Sequence, residues 1–234
     1  MKRIWIAATV LLSLLMVLGG CTKTSTAPSA DTRDITLDST TYTVPAHPEK
    51  IAVLSNSLLS MLYAVDGKAI SRVSTTDPLP PELEALPVLG QTANINIEQL
   101  LSLHPDFVLG LESQHKKYES VLNSNHIPTV LVSYEGIKDN VPLIKFLGNL
   151  TNHQDKADAL VATYESNIQR VKDAVKDQTP ARVAVLRATG KGVTAETDAA
   201  ITASMVKDLG MTNVVSAHLD KSTTDKTVPY SLET

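Results

Sequence analysis

An unbroken apolar repeat in the second half most constrains what this chain can fold into. Ala157, Leu160, Tyr164, Ile168, Val171 and Val175 recur every three or four residues, the period that lines up one face of an α-helix. Thr151 and Gln154 stand at capping-box spacing before the repeat, and Thr179-Pro180 ends it. No Gly or Pro falls between 151 and 179. The spacing predicts one helix of roughly 35–40 Å, longer than an ordinary crossover helix and enough to bridge two lobes.

On both sides of that helix, short β-branched runs alternate with helical patterns. Ile35 to Val44 reads as a hairpin around Asp38-Ser39-Thr40, and Ile51 to Leu54 as a buried strand. A helix through Leu58, Leu59, Met61, Leu62 and Val65 ends at Gly67, with a strand at Ala69 to Val73 and a proline-rich loop from Pro78 to Pro87 next. Asn96 caps a helix carrying Ile97, Leu100, Leu101 and Leu103, and Phe107 to Leu109 forms the next strand. A helix near Ser113 to Ser124, a strand at Thr129 to Val132 and a helix near Lys138 to Asn149 complete a first α/β lobe. Strands separated by helices imply a largely parallel sheet covered on both faces. After the long helix, Val183 to Leu186, Val193 to Ala195 and a helix near Ala199 to Leu209 start a second lobe.

The chain opens differently. Lys2 and Arg3 precede an apolar run from Ile4 to Leu18, and Leu18-Gly19-Gly20 leads into Cys21, the only cysteine. That run is shorter than the roughly 20 residues of a bilayer span, and small residues sit where a lipoprotein signal peptidase cuts. Residues 1–20 therefore read as a lipoprotein signal peptide, and Cys21 as an acylated first residue anchored on a membrane outside the cytoplasm. Residues 21–36, rich in Thr, Ser, Ala, Pro and Asp, read as a flexible tether. The lobes and linker then occupy 37–150, 151–179 and 180–234.

Loss of the leader removes two cations, so 21 basic and 25 acidic residues become 19 against 25, a net charge of −6. A basic nucleic-acid face is excluded on that balance. Acylation of Cys21 consumes the only thiol, leaving no disulfide, zinc thiolate site or cysteine nucleophile. Two Phe and one Trp, the latter in the leader, argue against a carbohydrate-stacking surface.

Pro48-Glu49-Lys50-Ile51-Ala52-Val53-Leu54-Ser55, Leu89-Gly90, Asn96-Ile97-Glu98 and Leu103-His104-Pro105-Asp106-Phe107-Val108-Leu109 resemble the solute-binding lipoproteins of ABC importers for iron-siderophore, haem and cobalamin. The resemblance runs from about Thr36 to the last residue, and its most specific part is the Asn-x-Glu helix start followed by a leucine-rich turn, Pro-Asp and a strand. It implies an α/β fold of two Rossmann-like lobes joined by one rigid backbone helix. It also implies some sixty or more further residues after the position of Thr234, so the second lobe is expected to be incomplete and the chain a fragment or truncated product.

Two glutamates follow from the resemblance. In such proteins one surface Glu on each lobe docks into permease arginines, and Glu98 and Glu233 match those positions. A Glu in a first helical turn is also favoured by the helix dipole alone, at about 0.3–1 kcal/mol. Ligand contacts are expected in loops after strands, where a two-lobed binder holds its ligand. Asn56, Ser57, Gln91, Asn94, Tyr134 and Arg187 are the candidates, Arg187 because a guanidinium fork suits anionic oxygens and Tyr134 because it can stack or donate. A strand-end Arg is also often a solvated or ion-paired surface residue.

Haem-binding members supply an axial methionine just after the Gly that matches Gly90; here Ala93 stands there, so haem by that mode lacks its ligand. The six histidines, His115 among them, show no paired metal-ligand spacing and read as surface residues. No nucleophile elbow, zincin helix or Walker loop is present, and Gly190-Lys191-Gly192 reads as a turn. The expected protein is a non-catalytic monomer that captures a ferric chelate, with haem or cobalamin as alternatives, and passes it to a permease and ATPase. An adhesin or sensor subunit and a surface hydrolase are the readings from other classes.

Overall fold

The computed structural model describes residues 31–219 and 224–231. Cys21 and Glu233 lie outside these residues, as does the leader. Strands β1 (Thr32–Leu37) and β2 (Thr40–Pro45) form the expected antiparallel hairpin, with Asp38 in left-handed backbone at its turn. The hairpin begins at Thr32, inside the stretch 21–36 assigned to a tether, because Ile35 and Leu37 point into the core. Arg33 fastens it there, its guanidinium donating to the carbonyls of Asn149 and Leu150.

Next come β3 (Ile51–Val53), α1 (Asn56–Ala64), the short α2 (Pro81–Glu84), β4 (Gly90–Gln91), β5 (Asn94–Ile95) and α3 (Ile97–Ser102). They are followed by β6 (Phe107–Leu111), α4 (Glu112–His115), a 3-10 turn (Lys116–Tyr118), α5 (Glu119–Ser124) and β7 (Thr129–Val132). Strands β3, β6 and β7 pair in parallel with β6 in the middle. Alternation divides them between two cores: Ile51, Val53, Phe107, Leu109, Val130 and Val132 face one, Ala52, Leu54 and Val108 the other. Both faces are covered, which is why these strands are continuous apolar runs in sequence. Asp106, from the Pro-Asp pair, accepts from the backbone N–H groups of Glu49 and Lys50 at 2.7 and 2.9 Å and so sets the start of β3 against the start of β6.

Two expectations fail in this lobe. Ala69 to Val73 is no strand: only Arg72 forms a bridge, to Val88. Proline at 78, 80, 81 and 87 leaves the neighbouring loop unable to continue a ladder. The helix expected over 113–124 is three pieces, because the 3-10 turn breaks it where His115 turns inward.

After a 3-10 turn at Ile137–Asp139, α6 (Asn140–Leu150) and α7 (Gln154–Val175) pack antiparallel. The long helix is present, at 22 residues about 33 Å. Its start is corrected. Thr151 is the C-cap of α6 and donates its hydroxyl to the Leu147 carbonyl at 2.8 Å. Asn152 takes left-handed backbone, and His153 N–H reaches the Gly148 carbonyl at 2.7 Å, a Schellman ending rather than a capping box. Of the predicted apolar face only Ala157 is buried, with Val161, outside the predicted repeat, buried beside it; Val171 is exposed.

The rest comprises β8 (Arg182–Val183), β9 (Leu186–Thr189), β10 (Gly192–Glu196), α8 (Ile201–Asp208), β11 (Thr212–Asn213), α9 (Val214–Ala217) and β12 (Thr227–Pro229). The strand expected over Val183 to Leu186 changes partner midway. β8 pairs in parallel with β11, whereas β9 and β12 flank β10 antiparallel. The described residues after α7 thus hold one parallel pair beside a three-stranded antiparallel sheet, with α8 and α9 between the strands. Gly190-Lys191 is the turn between β9 and β10.

Candidate functional site

The carboxyl ends of β3, β6 and β7 point the same way, so the loops that follow them share one edge of the sheet. After β3, the Asn56 side-chain amide donates to the Ser74 carbonyl at 3.3 Å, and Ser74 N–H donates to the Gly90 carbonyl at 2.7 Å. This joins the start of α1 to the β4–β5 hairpin, in which Gln91 pairs with Asn94. Gly90 has φ +96°, and a Cβ there would meet the Asn94 carbonyl oxygen at 2.8 Å, so only glycine closes this turn without strain.

The other end of the hairpin is joined to β6. Leu111 N–H donates to His115 Nδ1 and His115 Nε2 reaches the Thr92 carbonyl, both at 2.8 Å. Lys117 Nζ donates to the Ala93 carbonyl at 2.7 Å, and Ile95 N–H donates to the Tyr118 hydroxyl at 2.9 Å. After β7, Asp139 accepts from the N–H groups of Glu135 and Gly136. Tyr134 donates its hydroxyl to Asn140 Oδ1 at 2.7 Å, and Asn140 donates on to the Tyr164 hydroxyl of α7 at 2.9 Å. Burial holds the Tyr134 phenol above its ordinary pKa, so it stays a protonated donor.

Beyond this loop lies a cavity of about 550 Å³. Glu135 and Lys138 line it from one side and Asp198, Lys207, Asp208 and Lys226 from the other. Charges of both signs face it. Among the described residues no group of three His, Cys, Asp or Glu side chains could hold a metal ion, and no helix is long and apolar enough to cross a membrane.

The structure thus links Asn56, Gln91 and Asn94 along one edge, with Ser57 exposed in the first turn of α1. Tyr134 lies on the same edge with its hydroxyl engaged inside the fold. Arg187 is elsewhere, within β9. Its Nε and Nη2 both donate to Glu196 Oε1, at 3.0 and 2.6 Å. Glu98 is exposed in the first turn of α3, whose cap is Asn96 Oδ1 accepting from Gln99 N–H at 3.0 Å. His115, read as a surface residue, is fully buried. It, Lys117 and Tyr118 escape sequence reading because each bonds to a segment more than twenty residues away, which no local spacing marks; Asp139 bonds only to Glu135 and Gly136 within its own turn.

The family model for periplasmic binding proteins matches residues 51–228. The chain belongs to that family. The "Probable siderophore-binding lipoprotein YfiY" of Bacillus subtilis is 29% identical over 192 residues, which are 76% of this chain and 58% of that protein. The chain spans little more than half the length of the curated relatives it matches. An ABC transporter substrate-binding protein from Listeria monocytogenes shares the fold with TM-score 0.68 at 20% identity, over 80% of this chain and 70% of that one. So does the triscatecholate siderophore binding protein FeuA from Bacillus subtilis, solved with ferri-bacillibactin, with TM-score 0.67 at 21% identity over 86% and 71%.

Proposed function

We propose that this chain is the ligand-capturing part of an extracytoplasmic lipoprotein that serves an ABC importer. It takes an iron-siderophore type chelate on the carboxyl edge of β3, β6 and β7 and delivers it to a membrane permease powered by an ATPase. The observation that carries this reading is the continuous hydrogen-bonded edge from Asn56 through the β4–β5 hairpin to His115, which prearranges polar loops where open α/β sheets bind ligands. The named function of the Bacillus relative supports the choice of chelate. Iron is cargo here, enclosed in its chelator. Cys21 anchors the protein by its acyl chains, Glu98 and Glu233 dock the permease, and the protein acts as a monomer without catalysis.

Haem and cobalamin are the competing cargoes. Ala93 cannot ligate haem iron, which places haem below a ferric chelate. The deciding measurement titrates full-length mature protein with a ferric hydroxamate, a ferric catecholate, haem, cobalamin and a bare divalent metal, following intrinsic fluorescence. A ferric chelate is expected to bind tightest. Response to bare metal alone would overturn the reading. In cells, Glu98→Lys is expected to abolish uptake while the purified variant keeps its chelate affinity.

A further inference from the structure

The stretch that follows β6 holds the β4–β5 hairpin at three points. His115 ends α4, and Lys117 and Tyr118 occupy the 3-10 turn, yet their bonds reach Thr92, Ala93 and Ile95. The imidazole is fully buried. A Cβ on Gly110 would lie 2.9 Å from Nδ1, so the ring rests directly on the β6 backbone. Leu111 N–H can only donate, so Nδ1 must be unprotonated to accept it; the ring proton is then on Nε2, where it is donated to the Thr92 carbonyl. Both bonds need one neutral tautomer. A second proton, on Nδ1, would set two donors against each other at 2.8 Å.

We propose that His115 is the positioning residue of the binding hairpin: neutral, it latches the tip between β4 and β5 to the end of β6, and protonation at Nδ1 releases the tip and weakens ligand capture. The effect on capture rests on the carboxyl-edge reading above; the latch itself does not.

The surroundings favour the neutral ring. β4, β5, β6 and β7 carry no titratable side chain. The charged neighbours lie on the histidine's own stretch. Lys117 is the cation beside it, Glu112 opens α4, and Lys116 and Glu119 pair with each other at 3.0 Å. The Tyr118 ring stacks on the imidazole, with centroids 6.4 Å apart. Burial above all, with Lys117 adding to it, holds the ring below its ordinary pKa of 6.5, while the Thr92 carbonyl opposes the shift. The folded value being the lower one, the released form binds the proton better. The latch is therefore complete above about pH 6.5 and loosens as pH falls below it, toward the folded value.

Amide hydrogen exchange on full-length mature protein at pH 7.5 and pH 5, corrected for intrinsic rates, tests the latch. Peptides covering 90–96 are expected to lose protection by up to about tenfold per pH unit, the most that one proton can cause, while peptides covering β3 hold theirs. His115→Gln keeps a donor toward Thr92, and His115→Asn keeps an acceptor toward Leu111; both are expected to show a pH-independent hairpin. Wild-type protection that is flat with pH, or a pH step that survives in both variants, overturns the proposal. Should neither variant fold, the wild-type step must coincide with the His115 titration seen by NMR, and a mismatch overturns it equally. The Kd of the ferric hydroxamate is then compared between the two pH values, wild type against His115→Gln. A wild-type excess supports the link to capture; a hairpin that opens with no excess overturns the placement of ligand on this hairpin and leaves the latch standing.

Discussion

Arg187 shows how a residue chosen for one role is held by another. Its side chain is 59% exposed, but the Glu196 carboxylate it meets is only 4% exposed and its Oε2 makes no hydrogen bond. The carboxylate depends on this guanidinium, since a buried charge without a partner costs far more than a surface pair contributes. Removing Arg187 is therefore a stability change before it is a binding change. Arg187→Ala is expected to cost about 1–3 kcal/mol in urea unfolding, below the figure for a fully buried pair because solvent reaches the arginine. Adding Glu196→Gln should recover most of the loss, with chelate affinity close to wild type throughout. An unchanged unfolding midpoint for Arg187→Ala would rule out this role.

At the scale of elements, the α6–α7 pair depends on one missing methyl group. A Cβ at Gly148 would lie 2.3 Å from the Ala157 Cβ and 3.2 Å from the His153 carbonyl oxygen. Replacing a helical glycine by alanine normally gains about 0.8–1 kcal/mol of helix propensity. Here the opposing atoms are a Cβ and backbone, which no rotamer change can move, and overpacking costs about 1–3 kcal/mol. The clash wins. Gly148→Ala is expected to lower the thermal midpoint by several degrees, and a raised midpoint would show that α7 can shift without loss. This contact also explains why the α6 ending matters: the Schellman turn at Thr151 to His153 brings α7 back along α6 at close range.

At the scale of the molecule, α7 runs from Gln154 to Val175 without Gly or Pro, so it lacks the usual causes of a sharp kink. Its first third is anchored by Ala157 and Val161, and the Tyr134–Asn140–Tyr164 relay ties it to the loop after β7. Lobes joined in this way are expected to rotate by only a few degrees on binding, unlike lobes joined by flexible strands. Small-angle scattering of full-length protein with and without ferric chelate should give nearly superimposable curves. A large fall in radius of gyration on binding would refute the rigid helix.

Periodicity alone was enough for the hairpin β1–β2, for the apolar strands β3, β6 and β7, for the Asn96-capped helix and for the long α7, because each depends on contacts a few residues apart or on burial of a whole run. Those same patterns misplaced Thr151, which caps the helix before it instead of the helix after it, since a cap residue reads alike from either side until the chain's direction is known. They also missed the change of partner between β8 and β9, which depends on β11 and β10 arriving from either side. The site divides in the same way. Asn56 could be placed at this edge because loops after strands share an edge in any parallel sheet, whereas Gln91 and Asn94 reach it within an antiparallel hairpin that Ser74 joins to Asn56. His115 could not, because its burial and its tautomer are set by Thr92 and Leu111, and only the folded chain brings those two groups to opposite sides of one ring.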